Sequence, residues 1–269
     1  MTAIAMITYG DLPAIRIAST DGAEAIVTLY GGHLISWKTA DQRQRLFCSA
    51  RSALDGSRAI RGGVPVIFPQ FAERGAGMRH GFARVSTWRL GESGLQGEAA
   101  FATFVLDPSQ LAPASRQAWP HDFDLQLRVQ VQSTTLSLAL EVRNTGAEPF
   151  AFSAALHTYF LVGAIGDVEI GGLQDGLLRV SDKIDQIYTG VAGAITLAQP
   201  EGALTLTQAG FSDAVVWNPG ALDTAALADM EDDEYLRFVC IEPAQIAAVT
   251  LQSGAVWRGE HQVSAAGKD

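Results

Sequence analysis

Residues 125–142 read LQLRVQVQSTTLSLALEV and carry the clearest structural signal in the chain. Leu and Val occupy every second position on both sides of Ser133 and Thr134. A period of two places alternate side chains on opposite faces of a β-strand, so the pattern predicts two strands with one apolar face each. Ser133 and Thr134 fall where the turn between them is required. We therefore predict an antiparallel hairpin that has one face on the core and one toward solvent.

The same alternation appears in shorter segments through most of the chain. Residues that favour turns separate these segments, which is typical of strands joined in hairpins and short loops. The further strands that we predict lie at residues 14–19, 24–30, 34–39, 98–106, 150–156, 167–170, 203–207, 214–217, 236–241 and 247–252. The best helical segment, residues 222–230, is short, and the connection at residues 108–120 is long.

No repeat, linker or low-complexity run divides the sequence. Many short strands with Gly and Pro between them are typical of a sandwich of two sheets. We therefore predict an all-β fold, a large antiparallel β-sandwich that forms a single domain over residues 1–269. The N-terminal third and the remainder are expected to contribute strands to the same pair of sheets.

The composition excludes several classes of function. The 269 residues include 19 Lys and Arg against 29 Asp and Glu, for a net charge of −10. Nucleic acid is not an expected partner, because phosphate-backbone binding needs a basic face. We see neither a signal peptide nor an 18-residue apolar run, so we expect a cytoplasmic protein without a membrane partner. Cys48 and Cys240 lie far apart in apolar stretches, which favours buried free thiols over a disulfide or metal site.

Positive charge is concentrated in residues 51–89. This segment holds seven of the 19 Lys and Arg residues, all of them Arg, and two acidic residues, Asp55 and Glu73. The guanidinium group of Arg binds phosphate or carboxylate through two parallel hydrogen bonds. Such a cluster in an acidic chain favours a specific anion site. The alternative is a set of solvated charges on a loop.

Two details of this segment favour a site. Arg61 is followed by two glycines, which allow a backbone to approach a ligand closely. The run RHGFAR at residues 79–84 places small and aromatic groups beside the charges of Arg79, His80 and Arg84.

Two apolar strands end in residues that could exchange protons. His157 follows the run AFSAAL, and Glu242 follows the run VCI. A carboxylate that emerges from an apolar strand must be paired, hydrogen-bonded or shifted in pKa, which suits a general base near neutral pH. A histidine can be neutral or protonated there, so the two could form an acid/base pair. Alternatively, each could be structural, the His hydrogen-bonded at a strand end and the Glu ending its strand before Pro243.

No other catalytic scheme has better support. The sequence lacks a Gly-x-Ser-x-Gly elbow, a Gly-x-Gly-x-x-Gly turn after a strand and a phosphate-binding P-loop. Its five histidines show no metal-ligand spacing. Asp182 and Asp213 could hold sugar hydroxyls or could be turn residues. The aromatic residues that could form an apolar wall for a sugar ring, or could equally pack in the core, are Phe68, Phe71, Phe82 and Trp217.

Seven short motifs, taken together, resemble the aldose 1-epimerase superfamily and, within it, the hexose-6-phosphate branch, the glucose-6-phosphate 1-epimerases. They are RGGVP at residues 61–65, HGFAR at 80–84, WPHDF at 119–123, HTYF at 157–160, SDK at 181–183, DAVVWNP at 213–219 and CIEPA at 240–244. The resemblance runs from about residue 14 to residue 255. One such motif is weak evidence, whereas seven in the family's order are specific.

The resemblance implies a β-sandwich of the galactose-mutarotase type and interconversion of the α and β anomers of a hexose 6-phosphate. It implies an acid at His157 and a base at Glu242. One acid and one base on opposite sides of the sugar ring suffice for this chemistry, so neither a cofactor nor a metal is expected. The expected partner is a small sugar phosphate, bound by a monomer or weak homodimer.

The resemblance also implies which residues bind the substrate. Arg61 and Arg84 would bind phosphate and substrate, His80 would support them, and Asp182 would hold a sugar hydroxyl. Arg79 departs from the family pattern, in which Gln precedes the His-Gly-Phe run. An extra guanidinium there could tighten phosphate binding or change which sugar phosphate is preferred.

Three other functions remain as alternatives. A mutarotase for free aldoses would show no preference for a phosphorylated sugar, and the arginine cluster argues against it. A carbohydrate-binding sandwich without catalysis is possible because fold does not determine function, but it would need neither His157 nor Glu242. A glycoside hydrolase normally needs two carboxylates that flank the bond, and Glu242 is the one carboxylate with a convincing setting.

Overall fold

The computed structural model describes residues 2–75 and 77–266. Most of its regular structure is β-strand, as the alternation predicts. The strands are β1 (Ile4–Tyr9), β2 (Leu12–Ala18), β3 (Glu24–Thr28), β4 (His33–Lys38), β5 (Val66–Ile67), β6 (Arg89–Gln96), β7 (Ala99–Leu106), β8 (Phe123–Gln132), β9 (Thr135–Asn144), β10 (Phe150–Leu156), β11 (Tyr159–Leu161), β12 (Glu169–Gly171), β13 (Leu178–Arg179), β14 (Ile184–Thr189), β15 (Ile195–Gln199), β16 (Gly202–Ala209), β17 (Asp213–Asn218), β18 (Phe238–Leu251) and β19 (Val256–Ala265).

The helices are short. The α-helices are α1 (Pro113–Ala118) and α2 (Gly220–Ala225), and the 3-10 helices are Ala83–Val85, Pro108–Gln110, Ile165–Asp167 and Glu234–Arg237. The predicted helical segment at 222–230 therefore begins earlier and ends sooner than expected, and the predicted loop at 108–120 contains α1. Within the described ranges, none of the helices has the length and apolar character needed to span a bilayer.

The strands form three antiparallel sheets. The first has the order β1-β2-β3-β4, and the second has the order β14-β17-β18-β10-β5 with β11 also paired to β18. The third has the order β13-β12-β15-β16-β19-β9-β8-β7-β6. The all-β antiparallel prediction is confirmed. The expectation that the N-terminal third contributes strands to the same pair of sheets as the remainder is wrong for β1 to β4, which pair with one another because short turns bring successive strands together first. Strand β5, also in that third, does lie in the second sheet.

The predicted hairpin at residues 125–142 is confirmed. Strand β8 pairs with β9 over its whole length, with Leu127 opposite Leu140. Every second residue of each strand is buried, and Ser133 in the turn has a φ of 51°. Truncating a buried leucine such as Leu127 to Ala typically costs about 2–5 kcal/mol, so this hairpin contributes substantially to the core.

One large cluster of buried side chains draws on all three sheets. It includes Ile17 from β2, Leu127 from β8, Val216 from β17 and Ile241 from β18. Because side chains alternate along a strand, the neighbours of these residues on β17 and β18 point to the other face of the second sheet. That second face carries the candidate site.

Some strands differ from the prediction for identifiable reasons. The two strands predicted at residues 236–241 and 247–252 are replaced by the single strand β18, which begins at Phe238, continues through Pro243 and ends at Leu251. Strand β6 was not predicted, because it lies at a sheet edge and none of its residues is fully buried, so it lacks an apolar alternation. Strand β19 was also not predicted, because Gly259 and His261 occupy two of its buried positions.

Candidate active site

The pairing in the second sheet brings His157 and Glu242 together. Two residues before His157 and again two residues after it, the chain is in register with β18. The aligned pairs are Ala155 with Ala244 and Tyr159 with Cys240. His157 and Glu242 lie midway between these pairs, so they are opposite each other on the face of the sheet away from the main core.

His157 and Glu242 are in direct contact, so they lie side by side, whereas we expected an acid and a base on opposite sides of the sugar ring. Nε2 of His157 lies 3.3 Å from Oε1 of Glu242. The two residues are 8% and 1% exposed. Nδ1 of His157 and Oε2 of Glu242 find no hydrogen-bond partner among the residues that the structure describes. A buried polar atom without a partner costs about 1–3 kcal/mol, so both atoms would gain from a hydrogen-bonding ligand.

The surroundings of His157 disfavour an imidazolium. Burial lowers the pKa of His157 well below its usual range, and the nearby groups of His80, Arg84 and Arg61 lower it further. These neighbours act in the same direction because each carries positive charge or would carry it when protonated, and like charge disfavours an imidazolium. In the unliganded site His157 is therefore neutral.

The surroundings of Glu242 disfavour a carboxylate. Burial raises the pKa of Glu242 well above its usual range, Asp185 raises it further, and Arg84 opposes the increase. Burial therefore favours the form of the His157–Glu242 pair in which Glu242 carries the proton. A transfer across the 3.3 Å contact would convert it to a carboxylate and an imidazolium without any change in net charge.

Aromatic rings surround His157. The ring of Tyr159 stacks on the imidazole at 4.9 Å with an interplanar angle of 13°, and Trp217 meets it edge-on at 5.7 Å. Trp217 and Phe71 line the cavity, as the predicted apolar wall requires. The other two predicted wall residues, Phe68 and Phe82, pack in the core.

The backbone at Arg61 is held from two sides. The Ser52 hydroxyl donates to the carbonyl oxygen of Arg61 at 2.8 Å and accepts from its amide at 3.0 Å. The buried imidazole of His33 donates from Nε2 to the carbonyl oxygen of Gly62 at 2.8 Å. Burial lowers the pKa of His33 to about 4, so this ring stays neutral. These contacts determine where the Arg61 side chain enters the cavity.

The two glycines after Arg61 pack against the protein itself. Gly62 and Gly63 have φ values of 124° and 58°, which favour glycine. A Cβ on Gly62 would collide with the backbone of Cys48, and one on Gly63 would collide with the carbonyl oxygen of Leu34. We expected these glycines to allow close approach to a ligand, whereas their close neighbours are strands of the same chain.

The guanidinium of Arg61 is fixed by two partners. Its Nε and Nη2 contact the carboxylate of Asp229 at 3.3 and 3.2 Å, and its Nη1 donates to the Tyr159 hydroxyl at 3.2 Å. Tyr159 therefore touches Arg61 with its hydroxyl and His157 with its ring. Sequence reasoning missed Asp229, since it stands in an acidic run typical of a solvated surface, and gave Tyr159 no role although it lies in the HTYF motif.

Arg84 is the basic residue of the site that has no acidic partner within the described ranges. Its Nη2 donates to the carbonyl oxygen of Arg79 at 3.0 Å, and its buried Nε makes no hydrogen bond there. Burial and the positive charges of Arg61 and Arg79 lower the pKa of Arg84, which means that its charge is poorly compensated. An anion in the cavity would supply the missing compensation.

His80 closes the loop that precedes Arg84. Its amide donates to the carbonyl oxygen of Ala72 at 3.0 Å, and its Nδ1 accepts from the Ala72 amide at 3.3 Å. Burial lowers the pKa of His80 to about 3, and the nearby arginines contribute. The ring is therefore neutral with its proton on Nε2, so it offers a hydrogen-bond donor.

One cavity of about 620 Å³ contains most of the predicted site residues. Its wall includes Arg61, Arg79, His80, Arg84, His157 and Glu242. Asp182 is not part of this wall as the structure describes it: its carboxylate lies against Gly220, where a Cβ would collide with it. Asp185 and Lys183 line the cavity instead, and Lys183 forms a 2.7 Å ion pair with Asp223. The other predicted hydroxyl ligand, Asp213, accepts from the amide of Ile246 in the sheet.

His157, Cys240 and Glu242 place possible metal ligands within 4.8 Å of one another. Sequence spacing did not reveal this group, because it depends on the pairing of β11 with β18. Burial raises the pKa of the Cys240 thiol well above its usual range, and a metal would need the thiolate. The positive charges of Arg61 and Arg84 nearby also oppose a cation. The donor chemistry therefore does not fit a resident metal.

Known proteins of one family are similar to this chain. The sequence profile of the aldose 1-epimerase family matches residues 13–182 and 173–264. A protein of Cenchrus ciliaris, provisionally named glucose-6-phosphate 1-epimerase, is 34% identical, covering 90% of this chain and 81% of its own length. A Salmonella typhimurium protein with the same provisional name is 32% identical, covering 84% of this chain and 81% of its own length.

A solved structure has a similar fold. The crystal structure of a protein from Salmonella typhimurium, described provisionally as a mutarotase, superposes with a TM-score of 0.89 at 27% identity. The superposition covers 99% of this chain and 94% of that one. The profile match extends over both the arginine segment and the strands that carry His157 and Glu242. On the strength of that match and of the relatives at 32–34% identity, this chain belongs to the aldose 1-epimerase family.

Proposed function

We propose that this protein interconverts the α and β anomers of a hexose 6-phosphate, with glucose 6-phosphate as the first candidate substrate. The observation that carries the proposal is the shared cavity, in which Arg84 lies near the contact of His157 with Glu242 and has no acidic partner among the residues that the structure describes. A free hexose would leave that charge uncompensated. The provisional names of the relatives agree with this choice.

The anion would be bound by groups that are already in place. Arg61 is held by Asp229 and Tyr159, so it loses little side-chain freedom on binding. Arg84 offers its buried Nε, and Arg79 stands more exposed beside it with Glu73 at 3.7 Å. Hydrogen bonds between charged groups contribute roughly 1.5–3 kcal/mol each, which is enough to select a phosphorylated sugar over a free one.

The chemistry is a pair of proton transfers. Glu242, as the carboxylate, takes the proton from O1 of the sugar, and the electron pair of that O–H bond forms the C1=O1 double bond. The C1–O5 bond breaks, and O5 takes the proton from His157. Rotation about C1–C2 and the reverse transfers close the ring on the other face. No atom is gained or lost, and each positioned group contributes about 10²- to 10⁴-fold to the rate.

Anomer exchange measured by NMR tests the proposal. Glucose 6-phosphate, glucose and galactose should be compared at the same enzyme concentration, with the spontaneous rate of each subtracted. We expect rapid exchange of the phosphorylated sugar and slow exchange of the others. Equal rates on all three sugars would indicate a general aldose mutarotase, and no acceleration of any would leave a sugar-binding domain as the better account.

A further inference from the structure

The cavity brings together two groups of side chains that do different work. His157 and Glu242 exchange protons under the proposed function, whereas Arg61 and Arg84 supply positive charge. Tyr159 joins the two groups, since its hydroxyl contacts Arg61 at 3.2 Å and its ring stacks on His157 at 4.9 Å. The anion subsite, defined here as the donors of Arg61 and Arg84, therefore lies within one tyrosine side chain of the proton-transfer pair.

Positive charge in the anion subsite works against the catalytic cycle when no anion is present. His157 must carry a proton at one stage, and Arg84 and Arg61 lie close enough to oppose it. Asp229 compensates Arg61 in part, while Arg84 has no acidic partner among the described residues. The other titratable groups near His157 are its partner Glu242, the neutral His80, and the hydroxyl and thiol of Tyr159 and Cys240.

We propose that the anion subsite is also an activating site: an inorganic oxyanion bound there, not joined to the sugar, makes a free hexose a substrate of the same His157–Glu242 pair. This inference rests on the proposed function. It adds that the phosphate group promotes proton transfer in addition to anchoring the substrate.

The direction of the effect follows from where the arginines act. Beyond the effect of burial, Arg84 and Arg61 both lower the pKa of His157, whereas of these two residues Arg84 alone acts on that of Glu242. Two guanidinium groups oppose the imidazolium, whereas one of them favours the carboxylate. We therefore expect compensation of both to stabilise a proton on His157 more than it destabilises the carboxylate of Glu242. The form of the pair that begins ring opening becomes more populated. The oxyanion forms no covalent bond, and the proton transfers balance as they do for the phosphorylated sugar.

The test uses free glucose and sodium phosphite as the untethered dianion. Anomer exchange of glucose is measured by NMR at rising phosphite concentration, with the rate without enzyme subtracted at each point. We expect a saturable increase of at least about tenfold in the enzyme-catalysed rate, since compensating one nearby charge can change such a barrier to that extent. In a parallel series with glucose 6-phosphate, phosphite should inhibit competitively, with a constant equal to its activation constant for glucose.

Two variants provide the controls. Arg84→Met should lose the activation of glucose by phosphite, because the uncompensated charge is gone. Arg89→Met should retain it, since Arg89 is an exposed arginine that pairs with Asp107 outside the cavity. An increase that does not saturate, or that is equal in Arg84→Met, would be ordinary buffer catalysis and would overturn the inference.

The experiment also separates this inference from the proposed function. If glucose 6-phosphate is turned over and phosphite inhibits that reaction without accelerating glucose, the proposed function stands and the activating role fails. If glucose 6-phosphate is not turned over, the proposed function fails and the inference fails with it. Activation of glucose together with inhibition of glucose 6-phosphate supports both.

Discussion

Nε2 of His157 lies 3.3 Å from Oε1 of Glu242, so the two side chains are in direct contact. A proton could therefore pass between them without an intervening water. When a sugar ring opens under the proposed mechanism, Glu242 gains a proton and His157 loses one, which returns the pair to its unliganded form. The ring-open state therefore requires no unfavourable charge at either residue.

The first prediction concerns catalysis by Glu242. Glu242→Gln keeps the size and polarity of the side chain but removes its ability to accept the O1 proton. We expect kcat on glucose 6-phosphate to fall by about 10²- to 10⁴-fold, the usual contribution of a positioned base. NMR anomer exchange measures the change. A kcat equal to that of the wild type would refute the assignment of Glu242 as the base.

The second prediction concerns the stability of the same variant. Because burial raises the pKa of Glu242 in the folded state, the unfolded chain loses this proton first as pH rises above the ordinary value of 4.5. Wild-type stability should therefore fall from that pH upward toward the folded pKa, and Gln removes this loss. We expect the stability of Glu242→Gln relative to the wild type, measured by urea unfolding, to increase as the pH rises from 5 to 8. A difference that stays constant with pH would contradict the raised pKa.

The third prediction separates two neighbouring arginines. Arg84→Met should raise KM for glucose 6-phosphate by about 10- to 100-fold, because a hydrogen bond between charged groups contributes roughly 1.5–3 kcal/mol. Arg79→Met is the matched control, since Arg79 is largely exposed and pairs with Glu73. We expect its KM to rise by less than about threefold, as for a solvated ion pair. Equal effects would show that charge near the cavity matters more than the buried position of Arg84.

The fourth prediction separates the two contacts of Tyr159. Tyr159→Phe removes the hydroxyl that holds Arg61 and keeps the ring that stacks on His157, so KM should rise about fivefold with kcat nearly unchanged. Tyr159→Leu removes the stacked ring as well, and we expect kcat to fall. Steady-state kinetics on glucose 6-phosphate distinguish these outcomes. The same loss of kcat in both variants would mean that the hydroxyl also positions His157.

The fifth prediction uses two glycines that have similar backbone angles. Gly63 has a φ of 58° and Gly97 a φ of 64°. A Cβ at Gly63 would lie 2.7 Å from Nε2 of His33 and collide with Leu34, whereas one at Gly97 would meet nothing within 4 Å. Gly97→Ala should cost about 1 kcal/mol of unfolding free energy from backbone strain alone.

The cost of Gly63→Ala should be larger, at least about 3 kcal/mol, because strand β4, which carries His33, Leu34 and Ile35, must move to admit the methyl group. Urea unfolding of both variants at pH 7 measures the difference. The folded fraction of Gly63→Ala should also bind glucose 6-phosphate less tightly, since Arg61 stands two residues before this position. Similar costs at both glycines would show that the packing around Gly63 adapts freely.

The alternation of apolar and polar residues predicted the strands whose burial follows that alternation. The β8–β9 hairpin follows from alternation and a two-residue turn, and strand β10 begins and ends where its apolar run does. Strands with polar or glycine residues at buried positions, such as β19, escaped prediction because their burial comes from neighbours in the sheet. The separate first sheet also escaped prediction, because alternation identifies a strand but not the strand with which it pairs.

The candidate site, like the fold, could be predicted from the sequence only in part. The sequence by itself determined which residue types stand where: a histidine after one apolar run, a glutamate after another, and a cluster of arginines in an acidic chain. These are the groups that the proposed chemistry needs. The sequence also determined that alternate residues of β18 would point to one face. These properties depend on residue type and on the period of two, and both can be read locally.

Only the tertiary structure decided how those groups meet. The register of β10, β11 and β18 places His157 opposite Glu242, and that register results from burial summed over whole strands. Asp229 holds Arg61 from a distant acidic run, and Asp185 rather than Asp182 reaches the cavity. Arg84 is left without an acidic partner in the part of the chain that the structure describes. Such compensation of charge depends on distances across the fold, which the sequence does not contain.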